Sequence, residues 1–350
     1  MQTLDTIYRR CYEGVNFRLR TFAGGRYASS CRPTSIVILL TELCNARCIH
    51  CDIWKNRGKE ASPTLDQWKA TLRELRQWLG PVQVVISGGE ALMKSYALDL
   101  VEYGTSLGLF IELLTNGFWD DQSRFERLAL AQPGRITFSF DGIGETHSLI
   151  RGRENFFEKT ERSLQTLKRV KEERQLDFTI RLKTVVMEQN LNDVCKVARY
   201  AEQNRFEVFF QPIEQNYNTV EDHLWFETSE TWPKDPERAV KVVEELLDLK
   251  TKGLPIANSI NQLNAMIPYF RDPARLRVAT QAHSAHERKT ICSALTMLQI
   301  QANGDVTICT FRDPVGNVKT DTIRHIWENR PHWWEQGCCL ESRTCDTAKP

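Results

Sequence analysis

With 350 residues, 41% of them hydrophobic and 26% charged, the chain has room for about two domains and the balance of an ordinary soluble globular protein. Net charge is +1 with no block of like charge, which argues against nucleic acid as the main partner. The longest apolar run, Ile36 to Leu40, is far shorter than the ~18 residues of a membrane span, and the N-terminus lacks the apolar stretch of a secretory signal.

The basic N-terminal extension, residues 1–34, reads as an amphipathic helix docked at a domain edge, a membrane surface being the other reading. From 35 to 212, short apolar runs alternate with helical patterns. "SIVILLT" reads as a strand. "TLDQWKATLRELRQWLG" reads as a helix with Leu65, Trp68, Leu72, Leu75 and Leu79 on one face and a Thr64/Gln67 capping box. "VQVVIS", "LFIELLTN", "RITFSF", "FTIRLKTVV" and "FEVFFQP" supply five more strands with helices between them. Strands and helices in alternation imply α/β structure with a parallel sheet. Residues 213–290 are loop-rich, apart from a helix ending at Gly253. After 290, "LTMLQIQANGDVTICTF" is a hairpin turning at Asn303-Gly304, with Cys309 on its second strand. Residues 291–350 then form a small metal-stapled domain.

Parallel strands covered on both faces should be apolar throughout. Here Arg135, Thr137, Ser139 and Asp141 share one face of their strand, and Arg181 and Lys183 share another. Glu112 lies with Asn116, and Glu207 with Gln211. A curved, partly open barrel with a solvated lumen accommodates these polar groups.

The eleven cysteines are clustered: three at 44–51 and five in the last sixty residues. Clustered thiols in a chain without a signal read as metal sites in a reducing cytoplasm. "TELCNARCIHCDIWK" places Cys44, Cys48 and Cys51 just past the first strand, at the strand end where parallel barrels build active sites. Three thiolates could hold zinc with His50 or Asp52 as a fourth ligand. They could equally hold three irons of a 4Fe–4S cube, leaving the fourth iron open.

C-x-x-x-C-x-x-C after a first strand, followed by "SGGEALM" after the second, resembles the radical S-adenosylmethionine superfamily. The resemblance implies a partial (β/α)6 TIM-like barrel over 35–212. It implies a 4Fe–4S cluster on Cys44, Cys48 and Cys51, with S-adenosylmethionine chelated to the open iron. Gly88 and Gly89 would let the backbone come close, and Glu90 would accept a hydrogen bond from the cofactor's amino group. Asn116, Ser139, Asp141 and Arg151 would make further cofactor contacts, with His50 packing near the adenine. The implied chemistry is reductive cleavage to a 5′-deoxyadenosyl radical, which takes a hydrogen atom from substrate. A flavodoxin- or ferredoxin-type donor would supply the electron.

The C-terminal cysteines resemble a SPASM domain in its shortened Twitch form. The resemblance implies one auxiliary 4Fe–4S cluster on Cys292, Cys309, Cys345 and one of Cys338 or Cys339, with Cys339 the choice; structural zinc is the alternative. The reaction is expected to oxidise or modify a small molecule, such as a sugar, an aminocyclitol or a lipid precursor. Glu112, Lys183, Glu207, Glu214 and Tyr217 would bind it or move its protons. Modification of a ribosomal peptide is the alternative, set second because only about 34 residues precede the first strand, too few for a leader-binding domain. A non-catalytic zinc or iron–sulfur module is the remote third reading.

Overall fold

The computed structural model describes residues 2–22, 26–56, 61–216, 219–220, 222, 224–273, 292–310 and 312–335. In chain order its elements are α1 (Gln2–Thr21), β1 (Ser35–Leu39), α2 (Leu65–Leu79), β2 (Gln83–Ser87), α3 (Ala97–Ser106), β3 (Phe110–Thr115), α4 (Ser123–Leu130), β4 (Arg135–Ser139), α5 (Glu145–Arg151) and α6 (Phe156–Glu173). They continue with β5 (Thr179–Val186), α7 (Val194–Asn204), β6 (Glu207–Pro212), α8 (Trp225–Thr228), α9 (Pro236–Thr251), α10 (Ile260–Arg271), β7 (Met297–Ile300), β8 (Asp305–Thr307), β9 (Gly316–Asn317) and α11 (Ile323–Glu328). The six strands expected before residue 213 are all present, within two residues of their expected bounds. Among the described residues no helix is long and apolar enough to cross a membrane.

Packing divides the chain into two compact units. The first comprises Met1–Thr41, Lys59–Glu112 and Ala279–Pro350; the second comprises Glu42–Gly58 and Leu113–Val278.

In the first unit β1 pairs in parallel with β2, Val37 opposite Val85. On its other side β1 pairs in parallel with β7, Ile36 opposite Leu298. β7, β8 and β9 then run antiparallel. The expected hairpin is therefore present, but it extends the sheet at β1. Cys309 falls two residues beyond β8 and not on the strand. α2 buries Trp68, Leu72, Leu75 and Leu79, and the Thr64/Gln67 capping box closes its first turn. Glu74, on the same helix, accepts the backbone N–H groups of Ile323 and Arg324 at 3.0 and 2.9 Å. It thereby caps α11, whose first-turn donors have no partner within their own helix. α1 is fastened by Tyr8 Oη to the Leu79 carbonyl (2.8 Å) and Tyr12 Oη to the Pro33 carbonyl (2.7 Å).

In the second unit β4, β5 and β6 are parallel, Ile136 opposite Ile180 and Leu182 opposite Val208. Phe138, Phe140, Phe156, Leu164, Leu167 and Phe210 are wholly buried around them. β6 would leave a row of backbone groups open to further pairing. The segment after α9 covers that row: Val208 N–H donates to the Pro255 carbonyl at 2.9 Å, and Ala257 N–H to the Val208 carbonyl at 2.8 Å. The buried Asn258 side chain continues the ladder, accepting from Phe210 N and donating to Phe210 O, both at 2.8 Å. α10 follows and was not expected, although Ser259 and Gln262 form a full capping box at its start.

Candidate active site

In the first unit the turn after β2 presses against the end of β1. Gly89 N–H donates to the Thr41 carbonyl at 2.7 Å. Gly88 has φ +149°, and a Cβ there would stand 2.5 Å from the same oxygen. Only glycine fits that approach. Glu90 is buried, and its Oε1 accepts the Leu92 N–H at 3.1 Å, which turns the carboxylate back over its own one-turn helix, Ala91–Met93.

In the second unit the cysteine loop is clipped onto α5. Arg47 N–H donates to the Arg151 carbonyl (2.9 Å) and Ile49 N–H to the Ile150 carbonyl (3.0 Å). Gly152 ends α5 at φ +67°, and a Cβ there would meet the Arg47 carbonyl oxygen at 2.2 Å. The Arg47 guanidinium closes the loop from inside, donating to the Cys44 and Ala46 carbonyls at 2.9 and 2.7 Å. Cys48 is buried with Ala46 and Phe156, and Cys44, Cys51 and Phe118 pack against that nest. The Phe118 and Phe156 rings stack at 4.5 Å.

Two side-chain donors address the sulfurs. Arg151 Nη1 lies 3.5 Å from Cys48 Sγ, and Asn116 Nδ2 lies 3.9 Å from Cys44 Sγ. Asn116 is itself fixed by Asn45 Oδ1 at 2.6 Å and by the Phe118 N–H at 2.9 Å. Burial pushes the Cys48 thiol above its ordinary pKa, with Arg151 pulling the other way; burial likewise raises Cys51. Among the described residues no group of three or more His, Cys, Asp or Glu is arranged to hold a metal ion. Cysteines bound to three separate irons of a cube stand wider apart than cysteines bound to one ion. Three thiols in an apolar nest, with N–H donors aimed at two of them, fit a cluster with three protein ligands, since such donors stabilise sulfur charge.

Behind the loop lies a buried polar network. Asp141 is fully buried and paired with Arg151, Oδ2 to Nη2 at 2.5 Å. Its Oδ1 accepts the Val185 N–H at 2.9 Å, and its carbonyl accepts Asn190 Nδ2 at 2.8 Å. Burial alone would raise the Asp141 carboxyl; Arg151, His50 and His147 outweigh it and hold the group below its ordinary value. His147 Nδ1 accepts the Asp141 N–H at 3.0 Å, so its proton sits on Nε2. Burial and then Arg151 push His147 down to about 3. His50 is pushed down to about 4, chiefly by burial. Both rings are neutral near pH 7. Arg151, expected on the cofactor, thus bridges Asp141 and Cys48. Asn116 likewise ties the cysteine loop to the end of β3.

Ser139 and Lys183 are register neighbours on β4 and β5, and Lys183 is close enough to His50 to disfavour its charge. Glu112 and Glu207 both lie away from the C-terminal ends of their strands. Glu112 lies three residues before the end of β3 and accepts Gln83 Nε2 at 2.7 Å. Glu207 is the first residue of β6 and pairs with Arg181 at 2.6 Å. Alternation fixes the face of a strand; it does not fix the distance from its C-terminal end, about 3.3 Å per residue. Glu214 is exposed. Cys292 and Cys309 are buried in the first unit. Tyr217, Cys338, Cys339 and Cys345 lie outside the described residues.

The second unit also holds a cavity of about 460 Å³ beside the cysteine loop, missed in the sequence because its walls come from the irregular stretch after β6. It is lined by Ile49, Gln189, Gln215, Asn216 and Trp225, with Ser229 and Thr231 among the others. Asn216 Nδ2 reaches the Ile49 carbonyl at 3.3 Å. Gln189 Nε2 donates to the Glu230 carbonyl at 2.7 Å, which fixes the amide orientation, and among the described residues its buried Oε1 has no partner.

Residues 38–201 match the model of the Radical SAM superfamily, and residues 292–343 match SPASM, an iron–sulfur cluster-binding domain. The chain belongs to the radical SAM superfamily: a partial-barrel α/β enzyme with a C-terminal SPASM domain. Its cofactors are S-adenosylmethionine, a 4Fe–4S cluster and auxiliary iron–sulfur. The chain is 27% identical over 313 residues to the AdoMet-dependent heme synthase of Methanosarcina barkeri, covering 85% of this chain and 82% of that one. It is 29% identical over 183 residues to the PqqA peptide cyclase of Bradyrhizobium diazoefficiens, covering 50% of this chain and 46% of that one. The chain thus spans about half the length of that cyclase. Streptococcus suis SuiB, solved with precursor peptide SuiA, superposes with a TM-score of 0.65 at 16% identity, over 87% of this chain and 67% of that one. At that identity the likeness is one of fold.

Proposed function

We propose that this enzyme modifies a peptide or protein, using a hydrogen-atom abstraction that S-adenosylmethionine and the reduced cluster make possible when bound. The observation that carries this reading is the cavity beside Ile49. Its walls bring carboxamides, hydroxyls and the carboxylates of Asp222 and Glu230 around one indole, with Ile49 and Val220 as the apolar part. A polar wall of amides and hydroxyls beside an aromatic ring suits the main chain and side chains of a peptide. Relatives named as peptide cyclases and as a sporulation killing factor maturation protein support the same class and weigh against the sugar, aminocyclitol or lipid substrate expected above. A haem-type substrate is the second reading, supported by the longer match to the heme synthase.

In this reading Cys44, Cys48 and Cys51 hold the cluster, and Arg151 and Asn116 orient two of those ligands. Gly88 and Gly89 open the backbone for the cofactor's methionine end, with Glu90 accepting from its amino group. Ser139 and Lys183 line the lumen wall. The electron comes from a flavodoxin- or ferredoxin-type protein.

The test is to reconstitute the enzyme anaerobically, reduce it with dithionite and supply S-adenosylmethionine. Short peptides encoded beside its gene are offered in one reaction and iron-coproporphyrin in another. Peptide-stimulated release of 5′-deoxyadenosine, with a matching loss of hydrogens from the peptide by mass spectrometry, supports the proposal. Stimulation by the porphyrin alone overturns it.

A further inference from the structure

Helix α1 is docked by one face and shows an apolar face to solvent. The docked face carries Tyr8, Tyr12 and Asn16: Tyr8 and Tyr12 donate to the Leu79 and Pro33 carbonyls, and Asn16 Oδ1 accepts the Arg32 N–H, which fixes the helix to the first unit. At 100° per residue, Leu4, Ile7, Cys11, Val15 and Arg18 fall within an arc of roughly 80° on the adjoining side. Leu4, Ile7 and Val15 are 72%, 53% and 56% exposed, and Phe22, just beyond the helix, is 67% exposed. Phe22 stacks on Tyr27 at 6.3 Å, which puts an aromatic pair at that end.

We infer that this face is a docking surface for an anionic lipid bilayer, with α1 lying in the plane of the headgroups. The argument is charge. Residues 1–32 hold six arginines and two acids, while the whole chain is only +1. Arg18 lies on the apolar stripe itself, Arg10 lies on the flank about 60° beyond Ile7, and Arg10, Arg18 and Arg26 are all exposed. Asp5 falls on the docked face between Tyr12 and Asn16 and Glu13 falls opposite the stripe, so the stripe itself holds Arg18 and no anion. A second copy packed stripe to stripe would bury two Arg18 guanidiniums with no carboxylate to meet them, which is costly. A bilayer rich in anionic lipid offers phosphates to those same arginines, whose stems lie along the apolar boundary while the charge reaches the headgroups. Each basic group near such a surface contributes about 1 kcal/mol at ordinary ionic strength.

The test is sedimentation of the reconstituted full-length enzyme with vesicles of phosphatidylcholine containing about one-third phosphatidylglycerol, and with pure phosphatidylcholine, roughly tenfold being the discriminating ratio. Binding is expected to be at least tenfold stronger to the anionic vesicles. It should fall at least tenfold in Ile7→Ser/Val15→Ser and in Arg10→Gln/Arg18→Gln. These side chains are exposed, so both variants should keep the wild-type iron content and melting temperature; a variant that loses either is replaced by Leu4→Ser/Phe22→Ser. Absence of wild-type binding, or equal binding to both vesicles, overturns the inference. So does a dimer in sedimentation velocity that Ile7→Ser/Val15→Ser dissociates while vesicle binding is unchanged.

Discussion

Gly88 and Gly152 each stand where a single added carbon would strike a backbone oxygen, and the two collisions have different consequences. At Gly88 the obstacle is Thr41, beside the turn proposed to receive the cofactor. Gly88→Ala should therefore keep its cluster iron yet bind S-adenosylmethionine about tenfold more weakly, read by equilibrium dialysis. At Gly152 the obstacle is Arg47, inside the cysteine loop. Gly152→Ala should lose cluster iron itself. Arg151 acts differently, through its buried ion pair with Asp141. Replacing it with Met leaves Asp141 buried without its partner, and breaking a buried pair costs about 3–5 kcal/mol. Arg151→Met is expected to lower the denaturation midpoint accordingly; unchanged stability would mean that the pair does not hold the loop. The cysteines and Gly-Gly-Glu were legible in the sequence because each motif is compact. The Arg151–Cys48 contact joins residues 103 positions apart, and no local pattern announces it.

At the scale of elements, the strands were legible because their apolar runs are short and bounded, and α2 because both its face and its cap agree. α10 escaped notice although Ser259-x-x-Gln262 is a capping signature. Pro268 lies inside it, and a proline in a helix interior argues against reading a helix there. The pairing of β7 with β1 could not be read at all, since a strand carries its own face but not its neighbour's identity. The Asn258 clamp on β6 belongs to the same category. Asn258→Ala would leave the buried N–H and carbonyl of Phe210 without that side chain, at about 1–3 kcal/mol for each group left unsatisfied. Faster amide exchange along β6 in the variant, with α2 unaffected, is the expected result. Uniform exchange across the chain would show that the segment after α9 covers the edge without this residue.

For the molecule as a whole, His147 sets a pH dependence. Its folded pKa of about 3 lies below the ordinary histidine value, so between these limits the unfolded chain binds a proton that the fold refuses. Stability therefore falls as pH drops from about 6.5 toward 3, by up to about 1.4 kcal/mol per pH unit. Asp141, held below its ordinary value, adds its own loss only below about pH 4. His147→Asn should roughly halve the slope of stability against pH in urea titrations between pH 6 and 4.5, because His50, held down to about 4, contributes in the same direction. A slope unchanged by the substitution would mean that the ring protonates in the folded protein.

In the proposed arrangement Cys44, Cys48 and Cys51 hold one cluster and the C-terminal cysteines hold another. Iron and acid-labile sulfide per chain, after anaerobic reconstitution, test it when the wild type is set beside a variant with those three cysteines changed to Ala. About eight irons falling to about four is the result the account predicts. About four falling to none would leave the C-terminal domain without its cluster and contradict the two-site account.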